Sequence, residues 1–293
     1  MKLKSFAYAK INLGLRILRK RPDGFHDIDT VFQRVSWADA ITFESADQHD
    51  FSCSDPFLME DPEANLVVRA VRAVEEAVGG KLPLRIHLDK RLPFGAGLGG
   101  GSSDCAATLL ACRDEAVRLH GVRLPDELLE SIARRLGSDV PFFLRSGAQR
   151  GTGTGTTLDR VLRTDGEPWQ LALPVVLVVP DIHISSGTAY RGVDPRSYEE
   201  YELPPHAIVV TDDMARYRRS LVNDFEPSVF AAFPQIERIK LMLLDHGARY
   251  ASLSGSGSAV FGIFGSADTA SECAEEMRRG NPQSWRTWVG MPA

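Results

Sequence analysis

The stretch Pro93-Phe94-Gly95-Ala96-Gly97-Leu98-Gly99-Gly100-Gly101-Ser102-Ser103-Asp104 constrains this chain more than any other, because five of the seven residues from Gly95 to Gly101 are glycine. Glycine loses more backbone freedom on folding than any other residue, so this density is costly for a mere connection. What it permits is close approach of the backbone to a ligand. The flanks indicate which ligand. Leu84, Ile86 and Leu88 alternate with Arg85, His87 and Asp89, the period of a strand, and Cys105 to Leu119 is a helix-forming run. Strand, glycine loop and helix in that order place backbone N–H groups at a helix N-terminus, a positive concavity suited to phosphate. Ser102 and Ser103 add hydroxyls and are expected to cap the helix, with Asp104 in its first turn.

Two familiar phosphate-binding patterns fail here. Gly95, Gly97 and Gly100 satisfy G-x-G-x-x-G, but the helix after the loop leads into a second helical run, Pro125 to Leu136, rather than into the strand a dinucleotide-binding unit needs. The pattern G-x-x-x-x-G-K-[ST] nearly fits Gly95 to Ser102, yet Gly101 stands where the lysine belongs.

The rest of the chain reads as mixed helix and strand. From Phe6 to Leu18, Ile11, Leu13, Leu15 and Ile17 alternate as in a half-buried strand, which puts Lys10, Asn12 and Arg16 together on the opposite face. Arg21-Pro22-Asp23-Gly24 has turn chemistry, and Thr30 to Val35 and Ala40 to Phe43 read as further strands. A helical stripe over Asn65 to Val78 ends at Gly79-Gly80, whereas Gly147 to Thr157 reads as loop with short strand pieces near a domain boundary. Beyond it come a strand (Val175 to Val179), a helix (Pro234 to Asp245), a hairpin (Ala248 to Leu253 with Ala259 to Phe264 around Ser254 to Ser258), a helix (Ala267 to Arg279) and a strand (Trp285 to Val289). That is the order of a ferredoxin-like layer.

Composition narrows the function. With 34 Lys and Arg against 39 Asp and Glu, the net charge is -5, and the basic residues form no patch of the kind nucleic acid requires. No apolar run approaches the roughly 18 residues that span a bilayer. The four cysteines, Cys53, Cys105, Cys112 and Cys273, have no CxxC spacing, so they are expected to be reduced thiols without metal. A soluble cytoplasmic protein acting on a small molecule, with no nucleic-acid or membrane partner, is the expectation.

Three motifs in order, Ala9-Lys10-Ile11-Asn12-Leu13, Leu92-Pro93 through Ser102-Ser103, and Leu253-Ser254-Gly255-Ser256-Gly257-Ser258, resemble those of the GHMP kinases. The resemblance implies an α+β, two-domain fold, with an N-terminal ATP-loop domain over 1–157, a C-terminal ferredoxin-like domain over 158–293 and the active site between them. It implies ATP with Mg²⁺, and a monomer or homodimer. Further segments, Arg21-Pro22-Asp23-Gly24-Phe25-His26, Lys90-Arg91-Leu92-Pro93, Gly137-Ser138-Asp139-Val140-Pro141-Phe142-Phe143 and Asn223-Asp224-Phe225-Glu226, resemble the branch whose acceptor is a cytidine diphosphate-linked methylerythritol, phosphorylated on its tertiary 2-hydroxyl. Other acceptors of the family (mevalonate, homoserine, sugars) are the alternative. A non-catalytic nucleotide-binding regulator would need neither Lys10 nor Asp139.

The resemblance implies residue roles. Asp139 is the base and Lys10 its cationic partner, though Asp139 placed after Gly137-Ser138 equally suits a helix cap and Lys10 a solvated strand residue. Asn12 shares the face of Lys10 and is a candidate for a substrate hydroxyl or phosphate, or for a strand-edge hydrogen bond. Pro93, Gly95, Gly97, Leu98, Gly99, Gly100, Gly101, Ser102 and Ser103 would hold ATP, with Asn65 capping its helix and touching the adenine. Phe25 and Tyr190 would sandwich the cytosine while His26 reads its edge; relatives often carry tyrosine where this chain has Phe25. Gly255 and Gly257 would approach the substrate, a tight turn being the plainer reading. No carboxylate cage is visible, which suits Mg²⁺ held by triphosphate oxygens and water.

Overall fold

The alternation noticed around Ile11 belongs to a 19-residue strand, β1 (Lys2–Lys20), and the two strands expected after the turn are a single one of 20 residues, β2 (His26–Ser45). The two pair with each other. The turn between them is tight: Gly24, at φ +88, donates its N–H to Arg21 O (3.1 Å), and Arg21 N–H donates to Phe25 O (2.8 Å). The expectation that β1 is half-buried is corrected, since Lys10, Asn12 and Arg16 are as buried as Ile11, Leu13, Leu15 and Ile17. A polar face can be buried when its groups find partners. Here Lys10 Nζ donates to Asn12 Oδ1 (2.7 Å), Asn12 Nδ2 donates to Thr30 Oγ1 (3.0 Å), and the Arg16 guanidinium lies 4.0 Å from the centroid of the Tyr201 ring.

The computed structural model describes residues 2–193, 201, 203–280 and 285–293. After β2 come β3 (Asp50–Cys53), two 3-10 turns (Pro56–Met59 and Pro62–Ala64), α1 (Leu66–Val78), β4 (Leu84–Asp89), α2 (Gly100–His120), α3 (Asp126–Leu136), α4 (Val140–Phe143), β5 (Gln149–Gly153) and β6 (Thr157–Arg160). The chain continues through β7 (Val175–Pro180), α5 (Ser186–Arg191), α6 (Pro205–Val209), α7 (Met214–Ser220), α8 (Glu226–Ala232), α9 (Pro234–Asp245), β8 (Tyr250–Leu253), β9 (Val260–Ile263), α10 (Ala267–Gly280) and β10 (Trp285–Gly290). Its contacts divide it into two compact units: Met1–Ala9, Ala38–Leu92 and Gly99–Ser146 form the first, and Lys10–Trp37, Pro93–Leu98 and Gly147–Ala293 the second.

In the first unit β4 is flanked by Ala40–Ser45 of β2, antiparallel, and by β3, parallel. The apolar stripe of α1 (Val67, Val68, Ala70, Val71, Val74) is buried, Asn65 Oδ1 caps its start by accepting from Val67 N–H (2.9 Å), and Gly79 ends it in the left-handed conformation at φ +64. α1 packs on α2, whose buried face is built largely of small residues, Cys105, Ala106, Ala107, Ala111, Cys112 and Ala116. Small side chains let helix axes approach closely. The short α4 packs against both α2 and α3.

In the second unit the first half of β2 pairs with β5, and β5 with β6, so the glycine- and threonine-rich run after Gly147 is mostly strand. A separate antiparallel sheet has the order β10-β7-β9-β8. Taken with α9 and α10, this is the split βαβ arrangement expected, with α5 to α8 inserted between β7 and α9. Its core joins Val176, Val178, Leu253 and Val260 from the sheet to Ile236, Ile239 and Leu243 of α9 and Ala270, Cys273 and Met277 of α10. Among the described residues no helix is long and apolar enough to cross a membrane.

Candidate active site

In the second unit, residues far apart in sequence converge on Lys10. Its backbone N–H donates to Leu98 O (2.9 Å), and its ammonium, besides bonding Asn12, lies 5.4 Å from the Phe32 ring centroid. The turn at Ser254–Ser258 lies beside it: a methyl group at Gly255 would come within 3.4 Å of Asn12 Oδ1 and 3.5 Å of Lys10 Nζ. The same turn is fastened to the glycine loop, because Ser254 Oγ donates to Gly97 O (3.0 Å) and Ala259 N–H to Ala96 O (3.1 Å). Gly95, Gly97, Gly255 and Gly257 all take positive φ. At Gly97 (φ +77) the need for glycine is double, since a Cβ there would sit 2.1 Å from Ser254 O. Asn12 thus accepts from Lys10 and is held from behind by Thr30.

The first unit carries the helical part of the loop. α2 begins at Gly100 with left-handed Gly99 (φ +70) as its N-cap and no side chain capping it, and its first internal bond runs from Ser103 N–H to Gly99 O (2.9 Å). The expectation that Ser102 and Ser103 cap this helix is therefore corrected. A glycine entry lets the helix start at least three residues earlier, which places Asp104 in the second turn. An uncapped helix start keeps its outermost N–H groups for a ligand, and the macrodipole favours an anion there. Asn65 is half-buried at the start of α1 with its Oδ1 engaged in the cap. Asp139 precedes α4 but does not cap it, so the plain structural use of this aspartate is not the one observed.

The aromatic residues also lie in the second unit. Phe25, at the tip of the turn joining β1 and β2, is 64% exposed. His26 beside it lies flat against Tyr190 of α5, ring centroids 4.5 Å apart and planes inclined by 12°, and Tyr190 in turn meets Phe225 edge-on at 4.8 Å. Tyr190 is thus held in place as part of a cluster. Burial, aided by the charge of Lys20, holds the His26 imidazole below its ordinary pKa, so at neutral pH it has one N–H donor and one acceptor nitrogen.

Residue-type reasoning passed over the groups that hold these parts still. Thr30 carried no motif. Asn223 was only one of several matching residues, yet it is 2% exposed, its Nδ2 donates to both Leu253 O (2.8 Å) and Gly255 O (2.9 Å), and its Oδ1 accepts from Phe225 N–H (3.0 Å). One amide thus ties the Gly255 turn to α8. Asn223→Ala takes the side-chain partners from Gly255 O and Phe225 N–H and one of two donors from Leu253 O, for an expected loss of about 3 kcal/mol of stability. Urea unfolding at unchanged m-value measures it, and a loss below about 0.5 kcal/mol would contradict the tie.

Two family models match the chain. Residues 65–147 match the family described as "GHMP kinases N terminal domain", and residues 211–283 the one described as "GHMP kinases C terminal". A protein of Salinibacter ruber named 4-diphosphocytidyl-2-C-methyl-D-erythritol kinase is 41% identical over 294 residues, covering 100% of this chain and 99% of that one. A crystal structure of a 4-(cytidine 5'-diphospho)-2C-methyl-D-erythritol kinase superposes with a TM-score of 0.82 at 32% identity, covering 99% of each chain. The homoserine kinase of Cytophaga hutchinsonii shares the fold at 18% identity, with a TM-score of 0.69 over 99% of this chain and 95% of that one.

Proposed function

The chain belongs to the GHMP kinase family, and from that premise we propose that it transfers the γ-phosphoryl group of ATP to the tertiary 2-hydroxyl of 4-diphosphocytidyl-2-C-methyl-D-erythritol, a step of the non-mevalonate route to isoprenoid precursors. The observation that carries phosphoryl transfer is the convergence of Lys10, Asn12, Gly97 and Gly255 from three separate segments of sequence. The full-length likeness to kinases of that name supports the acceptor.

Phosphoryl transfer asks for positioning and charge stabilisation more than for covalent chemistry. The uncapped start of α2 and the Gly95–Gly101 backbone hold the triphosphate, and Asn65 lies against the adenine. Asp139 takes the proton of the attacking hydroxyl. Lys10, oriented by Asn12, stabilises the alkoxide that develops on the acceptor. Mg²⁺ would accompany ATP on triphosphate oxygens and water, where it would supply neutralisation of the phosphate charge.

For the acceptor, the flat ring of cytosine suits Phe25, and suits Tyr190 once His26 leaves the face of that ring which it covers here, so that the His26 nitrogens meet the polar edge of the base. Remote binding energy of this kind orients the reacting hydroxyl, so methylerythritol phosphate without the cytidylyl group should lose kcat as well as affinity. Phe25→Ala should cost about 1–3 kcal/mol of acceptor binding with ATP affinity unchanged. His26→Ala should blunt the choice between cytidine and uridine forms. Measurement of kcat/KM for all three acceptors decides: a wild-type protein using the uridine or truncated acceptor as readily as the cytidine one would keep its family but not this substrate.

A further inference from the structure

We propose that Lys90, buried between Asp39 and Asp104, is a positioning residue that locks the two ends of the phosphate loop together and thereby sets ATP affinity. The proposal rests on the reading of that loop as the ATP site. Lys90 stands at the end of β4, just before the loop, and its Nζ donates to Asp39 Oδ2 (2.6 Å) and to Asp104 Oδ2 (2.7 Å). The three side chains are 5%, 0% and 4% exposed. Asp39 comes from β2, and its other oxygen accepts from the backbone N–H groups of Arg91 (2.6 Å) and Leu92 (2.7 Å), the residues by which the chain enters the loop. Asp104 comes from the second turn of α2, by which the chain leaves it. One ammonium therefore joins a carboxylate that fixes the entry to a carboxylate that fixes the exit. Between them, a methyl group at Gly100 would come within 3.2 Å of Lys90 Nζ and 3.3 Å of Leu92 Cβ, so the first residue of α2 rests on this cluster.

Three buried charges are poor means of merely stabilising a fold, because apolar residues of similar volume often do as well or better. What a buried ionic cluster does supply is registration, and the elements registered here are the two that flank the loop. The balance is a strained one. Asp104 Oδ1 is buried with no hydrogen-bond partner, and burial, reinforced by Asp39 against the attraction of Lys90, pushes the Asp104 carboxyl up to about 7.

The test compares wild type, Lys90→Met and Lys90→Met/Asp104→Asn in the full chain, reading ATP affinity by calorimetry, melting temperature, and kcat with KM for each substrate. Lys90→Met removes the link and leaves two acids facing each other, so both melting temperature and ATP affinity should fall, the latter by about 10- to 100-fold, with kcat at saturating ATP and the acceptor KM within about threefold of wild type. The double variant removes the surplus charge. Its melting temperature should recover, while its ATP affinity stays at least tenfold weak because entry and exit remain unlinked. Recovery of ATP affinity together with stability would reduce the cluster to ordinary fold maintenance and overturn the proposal, as would wild-type affinity in a folded Lys90→Met. If Lys90→Met does not fold, the double variant alone decides on the same criterion. A wild-type chain that fails to bind ATP would instead overturn the reading of the loop itself.

Discussion

Asp139→Asn is expected to leave ATP binding nearly intact while kcat falls by about 10²- to 10⁴-fold, the usual contribution of a positioned acid or base. Asparagine keeps the shape and removes the acceptor for the hydroxyl proton, so the loss falls on the chemical step and not on the binding of either substrate. Turnover within about threefold of wild type would take Asp139 out of the mechanism. Lys10→Ala should also lower kcat, and it acts on the same developing charge. The double variant should therefore lose less than the product of the two single losses, the signature of residues that work as a unit. Independent, multiplicative losses would contradict the coupling. Asn12→Ala, which frees the Lys10 ammonium from the oxygen that orients it, should reproduce part of the Lys10 effect.

How much of this was readable in advance depended on the distance over which each signal acts. Elements specified by local periodicity, such as α1, α9, β4 and β7, fall within a residue or two of where the apolar pattern puts them, and the β7, α9, β8, β9, α10, β10 order carried the topology of the second sheet. The pattern could not show that Thr30–Val35 and Ala40–Phe43 are one strand, because Ser36 and Asp39 suit a turn as well as a strand, and the pleat nonetheless continues through them. Nor could it show that the polar face of β1 is buried. Solvent exposure is the default for a face of Lys, Asn and Arg, and only partners 18 to 204 residues away in sequence, Thr30 on Asn12 and Ser220 O on Arg16, make burial tolerable.

The same limit applied to the site. Its chemistry-bearing residues sit in motifs and announce themselves by type, but the groups that hold them act through contacts between distant segments that composition does not show. Asn223, Thr30 and the Lys90–Asp39–Asp104 cluster are of that kind. The capping role foreseen for Ser102 and Ser103 failed for a related reason: serine is the better N-cap by statistics, yet Gly99, three positions before Ser102 and free to adopt φ +70, opened the helix first.

Gly97→Ala is expected to be among the most damaging single-methyl changes available to this chain. Two effects add at that position. The φ of +77 is strained for any residue with a Cβ, and the added methyl would meet Ser254 O at 2.1 Å, Ser254 C at 3.1 Å and Gly257 N at 3.2 Å. These are backbone atoms, which cannot swing aside as the end of a side chain does. Either the glycine loop or the Ser254–Ser258 turn must shift by roughly an ångström to restore ordinary contact, and a displacement of that size in a positioning element can cost about 10²-fold in rate. The turn carries Gly255 against Asn12 and Lys10, so the shift should lower kcat along with ATP affinity. Strain and overpacking together should cost about 4 kcal/mol of stability. Gly79→Ala is the matched control: φ is +64, nothing lies within 4 Å of the new methyl, and only the conformational strain of about 1–2 kcal/mol is expected, with kinetics unchanged. If Gly97→Ala folds and turns over like Gly79→Ala, the fastening of loop to turn has no part in catalysis, and the convergence on Lys10 loses its functional meaning.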